Sequence, residues 1–266
     1  MGFVSHHKVY LSGRWSPRFS RVIYLGLTSG LCGSITTFST WSLQCNKVSL
    51  LDPVTQSSVS TLGRIVAWGL CLWTGTAISL GSLRLGHHLA LLSSLSNMRL
   101  QHPSQAHDST PNSSGETYLI ITYLCTTALV VIVPPIFNRP ELTWVAVFGA
   151  CGAFLRYILS LQNTRKEGFP VGTFAANVSS TWLLAGLTTI SYTWNSRQDL
   201  TQTRALFTGL GYGFCGCLST FSTLVNEFDS LPIRNAYNYG ILTFLVAQIG
   251  VICLLDAPIL TSQPKS

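Results

Sequence analysis

Residues 30–41 read GLCGSITTFSTW, and residues 213–224 read GFCGCLSTFSTL. Each stretch begins in an apolar segment and then breaks its pattern, two glycines giving way to a run of serines and threonines. Glycine costs a helix roughly 1 kcal/mol relative to alanine, and serine and threonine hydroxyls compete for the backbone groups a helix would use. The pattern predicts a helix that unwinds locally, and the chain carries it twice.

The two copies belong to a longer repeat. Residues 21–40 aligned on 204–223 at a constant offset of 183 give ten identities in twenty positions, among them Arg21/Arg204, Gly26/Gly209, Gly30/Gly213, Cys32/Cys215, Gly33/Gly216 and the run from Thr37/Thr220 to Thr40/Thr223. Composition bias seldom aligns Arg, Gly, Cys and Phe together, so the similarity reads as an internal duplication.

Composition says where these segments lie. Of the 266 residues 47% are hydrophobic and only 9% charged, against about 25% charged in a soluble domain. Several windows reach the roughly 20 apolar residues needed to cross a bilayer, which makes this an integral membrane protein. The net charge of +7 is not gathered into a basic, aromatic-interleaved patch, so nucleic acid is not the expected partner. Seven of the eight cysteines fall in apolar segments, where cysteine acts as a small hydrophobe. The Cys215-Gly216-Cys217 run lacks metal-ligand spacing. The opening polar, basic segment shows no signal-peptide pattern.

Seven spans follow from hydropathy, at about 21–43, 62–83, 118–137, 143–161, 171–192, 204–225 and 236–255. Residues 84–116, with four histidines and a Pro/Ser/Asn-rich run, read as a solvated loop. Five crossings separate the starts of the two repeated spans, so the copies cross the bilayer in opposite directions. Inverted repeats place their sites near the bilayer midplane at the repeat interface.

Broken helices at membrane depth persist only where protein or a water-filled cavity surrounds them. The freed carbonyls suit a cation, and the hydroxyls and freed N–H groups suit an anion. A packing reading stands beside this one, because Gly26xxxGly30 and Gly209xxxGly213 fit the small-residue contact motif of membrane helices. Phe38 and Phe221 sit inside the hydroxyl runs, and an aromatic ring has a positive edge that can face an anion. Asn177 is an amide in an apolar segment, a position that is either functional or a helix-to-helix hydrogen bond. Arg156, near the end of its span, is either a vestibule residue or an interfacial anchor.

Together GACGAFLRY at 149–157, GTFAANV at 172–178, GFCGCLSTFST at 213–223 and GLCGSITTFST at 30–40 resemble the fluoride channel family, bacterial Fluc (CrcB) and the eukaryotic exporters called FEX. The resemblance implies an all-α membrane protein of two inverted four-helix-type repeats joined by one linker transmembrane helix. The first repeat here lacks its first two helices. The implied division is a truncated repeat with a polar loop at 1–116, a linker helix at 117–139, a complete repeat at 140–258 and a polar tail at 259–266.

By matching position, Phe38, Phe221, Asn177, Thr173, Thr40, Thr223, Ser39 and Ser222 line the fluoride pore. Backbone carbonyls of Gly33, Thr36, Gly216 and Ser219 hold a structural sodium ion. The family's Phe-x-x-Phe pattern is altered, its second position being Trp41 in one copy and Leu224 in the other. The implied function is passive, selective fluoride export for fluoride resistance, without enzymatic chemistry. The chain would be monomeric if complete, or would take helices from a second chain.

A non-conducting fragment or assembly partner is one alternative. An inverted-repeat secondary transporter is another; it needs a coupling carboxylate in a span, and Glu227 and Asp229 fall at the end of theirs. Lys/Arg counts of nine against six favour a cytoplasmic N-terminus, and family likeness points to the plasma membrane.

Overall fold

The computed structural model describes residues 33–47, 59–98, 140–163, 168–194 and 201–258, with isolated helical positions at 117, 121, 125, 128, 132 and 136. The opening segment, the first part of the 21–43 span with Gly26, Gly30 and Cys32, most of the 118–137 span and the tail after 258 lie outside the described residues. The described residues form helices and no strand. Three stretches, Thr61–Gly86, Glu141–Ser160 and Ile233–Asp256, are long and apolar enough to cross a membrane.

Helix α1 (Gly33–Ile35) is a single turn, followed after two residues by α2 (Phe38–Asn46). Between them Thr37 is extended, at φ −93° and ψ 118°. Helix α3 (Thr61–Met98) comes next. It runs well past residue 83, which corrects the reading of 84–98 as loop. That segment has leucine at 85, 89, 91, 92 and 95, and the first proline is Pro103, so nothing stops the helix where its hydropathy falls. His87 and His88 therefore stand on a helix, while His102 and His107 lie outside the described residues.

Helix α4 (Pro140–Ser160) starts with proline in its first position and Glu141 in its first turn, both favoured at a helix N-terminus. Helix α5 (Val171–Trp194) is capped from a distance: Asn163 Oδ1 accepts from the amides of Gly172, at 2.7 Å, and Thr173, at 3.2 Å. The second broken span comprises α6 (Thr201–Thr208), a π-helical stretch over Gly209–Cys215, α7 (Gly216–Leu218) and α8 (Phe221–Ser230). Its interruption is at Ser219 and Thr220, both extended. The breaks at 36–37 and 219–220 thus occupy the same register of the repeat. Helix α9 (Ile233–Val251) continues as a π-helical turn to Asp256.

Backbone contact fixes the second broken span. A Cβ added at Gly213 would strike the Val145 carbonyl oxygen, and one at Gly152 would strike that of Phe214. Helix α4 therefore lies directly on the π-helical stretch, and Gly209xxxGly213 serves close packing as the small-residue motif predicts. Helices α5 and α9 lie side by side in the same direction, with Trp182 Nε1 donating to Val246 O at 3.0 Å. One apolar cluster gathers Phe38, Phe221, Leu224, Val225, Tyr239 and Ala247, and a second gathers Leu43, Leu184, Ala185, Cys215, Val251 and Leu255. Each draws on both repeats, so the breaks are packed between them.

Gly213→Ala should destabilise the detergent-solubilised protein by roughly 1–3 kcal/mol, the usual range for overpacking. Gly186→Ala, where an added Cβ meets nothing within 4 Å, should be neutral or stabilising by up to about 1 kcal/mol. Thermal unfolding followed by size-exclusion fluorescence measures both.

Candidate functional site

The two breaks meet and hydrogen-bond to each other. The Phe221 amide donates to the Thr36 carbonyl at 2.8 Å, and the Ser222 amide to Thr36 Oγ1 at 3.2 Å. From the other side the Ser39 amide donates to Ser219 Oγ at 3.2 Å, and the two serine hydroxyls lie 2.9 Å apart. Ser39 Oγ also donates to the Cys215 carbonyl at 3.3 Å. The first amides of α2 and α8, which no helix can satisfy, thus find acceptors on the opposite repeat.

Asn177 completes the second break. It is fully buried; its Oδ1 accepts from the Thr220 amide at 2.8 Å and its Nδ2 donates to the Thr220 carbonyl at 3.1 Å. One side-chain amide thereby replaces both helical partners of an unwound residue. Thr220 in turn caps α8, its Oγ1 accepting from the Thr223 amide at 3.3 Å and donating to Thr223 Oγ1 at 3.0 Å. Ser222 Oγ lies 3.4 Å from Thr220 Oγ1. Of the candidate residues, Asn177, Ser222 and Thr223 meet at Thr220 and Ser39 pairs with Ser219, whereas Thr40 stands half-buried on α2.

Four rings pack against one another beside the crossing, with Phe38 and Trp41 themselves 5.9 Å apart at their centroids. Phe38 and Phe221 stack with centroids 6.2 Å apart, Phe221 lies 4.6 Å from Trp41, Trp41 5.6 Å from Phe244, and Phe244 5.5 Å from Phe38. These separations fall in the range of favourable aromatic pairing. Trp41 occupies the second position of the altered aromatic pattern. Phe244 carries no signal in the sequence, where it is one apolar residue in an apolar helix.

Thr173 lies at the start of α5 and leads to a carboxylate. Its Oγ1 donates to Glu227 Oε1 at 2.7 Å, Asn163 Nδ2 donates to the same oxygen at 3.0 Å, and Tyr239 OH donates to Oε2 at 2.8 Å. The sequence marked Glu227 only as a carboxylate at the end of its span. At the far end of α9, buried Asp256 accepts from Asn46 Nδ2 at 3.0 Å, and Asn46 Oδ1 accepts from Trp68 Nε1 at 2.6 Å. The expectation that no carboxylate belongs to the spans needs correction on this point. Distance along the chain from the apolar core of a span does not measure burial when neighbouring helices cover the end.

Gly33, Thr36, Gly216 and Ser219 all lie at the two interruptions. The Thr220 amide, which in an unbroken helix would bond the Gly216 carbonyl, goes to Asn177 instead. That leaves a carbonyl of the kind a hard monovalent cation accepts, so the residues suit such an ion. Among the described residues no group of three or more His, Cys, Asp or Glu could hold a metal. Arg156 is buried, and its guanidinium rests on Gly33, where an added Cβ would come within 2.7 Å of Nη1. Glycine at 33 makes room for that cation beside the first break.

Membrane helices broken and crossed in this way are the architecture of transport proteins. Residues 143–256 match the family described as CrcB-like protein, Camphor Resistance (CrcB). The chain is 29% identical over 248 residues to Fluoride export protein 1 of Candida albicans, an alignment covering 88% of this chain and 61% of that protein. It is 30% identical over 236 residues to Fluoride export protein 1 of Neurospora crassa, covering 82% of this chain and 44% of that protein. Against the fluoride-specific ion channel FluC of Bacteroides fragilis it is 32% identical over 133 residues, 47% of this chain and 98% of that one. No solved structure matches the chain. The chain belongs to the CrcB-like family, and it spans less than two thirds of the length of its two fungal relatives.

Asn177→Ala leaves the Thr220 N–H and C=O buried without their partner, at roughly 1–3 kcal/mol for each unsatisfied group. Its thermal transition should fall well below that of Asn177→Asp, which keeps the acceptor. Equal losses in the two variants would remove Asn177 from the support of the break.

Proposed function

We propose that the chain conducts fluoride passively through the crossing of its two broken helices. The observation that carries this reading is the ring set over paired hydroxyl-rich breaks, in a chain whose relatives are named for fluoride export and fluoride-specific conduction. A small anion entering such a crossing exchanges water for hydroxyl and amide donors and for the positive edges of rings, in a passage too narrow for larger anions. Phe38, Phe221, Ser39, Ser222, Thr40 and Thr223 contribute that lining, with Asn177 and Thr173 on α5. A sodium ion on the carbonyls of Gly33, Thr36, Gly216 and Ser219 supplies fixed charge that ties the halves together. The names of its relatives, fluoride export protein and fluoride-specific ion channel, support conduction and not enzymatic chemistry.

The architecture proposed for it is the inverted one, with a shortened repeat over 1–116, a linker helix over 117–139 and a full repeat over 140–258. The equivalent registers of the two breaks support it. The plasma membrane, with the N-terminus cytoplasmic, is the proposed location. Fluoride leaves hydrogen fluoride in a neutral cytoplasm as the anion, which then needs an exit.

One observation favours a second reading. Glu227, held by three donors, is the kind of carboxylate a proton-coupled transporter uses. Conduction predicts a reversal potential set by the fluoride gradient alone; coupling predicts that an imposed pH gradient displaces it.

Liposomes loaded with fluoride and containing the chain should lose fluoride but retain chloride, and Phe221→Ile and Asn177→Ala should both abolish the efflux. Absence of flux from the unaltered chain would make it a non-conducting fragment or assembly partner, one that takes helices from a second chain.

A further inference from the structure

Helix α3 carries five glycines among the described residues, and they meet different surroundings. A Cβ added at Gly69, Gly81 or Gly86 touches nothing within 4 Å. A Cβ at Gly63 would meet Val59 of its own approach segment. At Gly75 it would lie 2.5 Å from Trp41 Nε1, 2.8 Å from Cε2 and 2.9 Å from Cζ2. The indole edge therefore rests on the bare backbone of α3, at the one glycine on this helix that faces α2.

That contact reaches the ring set directly. The rings form one packed circuit in which Trp41 touches Phe38, Phe221 and Phe244, with centroids 5.9, 4.6 and 5.6 Å away, and Phe38 in turn touches Phe221 and Phe244. Phe38 and Trp41 come from α2, Phe221 from α8 and Phe244 from α9, so the indole is the member that α3 can move. The second repeat has no such handle, because the residue equivalent to Trp41 is Leu224, buried in the apolar cluster. Relieving a 2.5 Å approach to an ordinary contact of at least 3.4 Å requires a displacement of roughly an ångström. Asn46, accepting from Trp68 at 2.6 Å, holds α2 and α3 in register about two turns of α3 away. The displacement must then fall on the indole and not on the helices.

We propose that Gly75 is a positioning residue: it seats the Trp41 indole against Phe38, Phe221 and Phe244 and so sets the opening alongside this ring cluster through which the anion passes. The proposal rests on the conducting function set out above. Gly75→Ala pushes the indole away from α3 and into the ring circuit, and Trp41→Phe removes the edge that is struck. Trp41→Phe should therefore rescue Gly75→Ala, while Gly69→Ala and Gly81→Ala serve as controls on the same helix.

Two readouts decide it. In protein with 15N-labelled tryptophan, the Trp41 indole resonance is assigned by its loss in Trp41→Phe. It should shift in Gly75→Ala and stay in place in both controls. In liposomes, Gly75→Ala should slow fluoride efflux by about tenfold or more, as expected for an ångström-scale misplacement of a working group. The controls should match the unaltered chain, and Gly75→Ala with Trp41→Phe should regain most of the rate. An unshifted indole resonance overturns the seating. A shifted resonance with unchanged efflux, or a double variant as slow as Gly75→Ala, overturns the role in setting the opening. Should the unaltered chain conduct nothing, the conducting function has failed and the opening role falls with it. The indole resonance then still decides separately whether Gly75 seats Trp41.

Discussion

Backbone amides and carbonyls taken out of water have to be paired, and at membrane depth there is no solvent to fall back on. Two helices interrupted inside the same protein raise this demand twice. The fold meets it by bringing the interruptions together, so that the opening amides of each new helix find oxygen on the other strand of the crossing or on a neighbouring helix. Phe221 and Ser222 donate to Thr36, and Ser39 donates to Ser219. Only then is the helix Phe221–Ser230 free to carry a ring at its first position and a hydrogen-bonded, half-buried carboxylate two turns later.

The remaining packing follows from that pairing. Asn177 satisfies both backbone groups of the unwound Thr220, which explains an amide in an otherwise apolar helix. Glycines bring Pro140–Ser160 against the π-helical stretch without intervening side chains. Gly33, equally bare, admits the Arg156 guanidinium beside the first break. Small residues on one side and large rings on the other leave a buried polar seam edged by aromatic groups, which is the environment that a small, strongly hydrated anion requires if it is to be told from a larger one.

What the sequence made legible was the local chemistry. Glycine followed by hydroxyls marks an unwound turn whatever surrounds it, so both interruptions could be placed within a residue or two. Asn177 and Arg156 stood out because each is expensive in an apolar segment. Contacts between distant segments left no such mark. Phe244 and Gly75 are ordinary in their own helices and gain meaning only from the rings across the interface. Glu227 was misjudged because its depth depends on Asn163, Thr173 and Tyr239, from three other segments. The extension to Met98 was missed because falling hydropathy marks the edge of a membrane span and not the end of a helix.

The most direct test of the crossing is a distance. In a background without native cysteines, Ser39→Cys with Ser219→Cys places two thiols where the native hydroxyls lie 2.9 Å apart. With a protease site introduced between residues 195 and 200, oxidation followed by cleavage should leave the two fragments joined until reductant is added. Fragments that separate without reductant, or that are joined only between different molecules, would contradict a crossing of the two breaks within one chain.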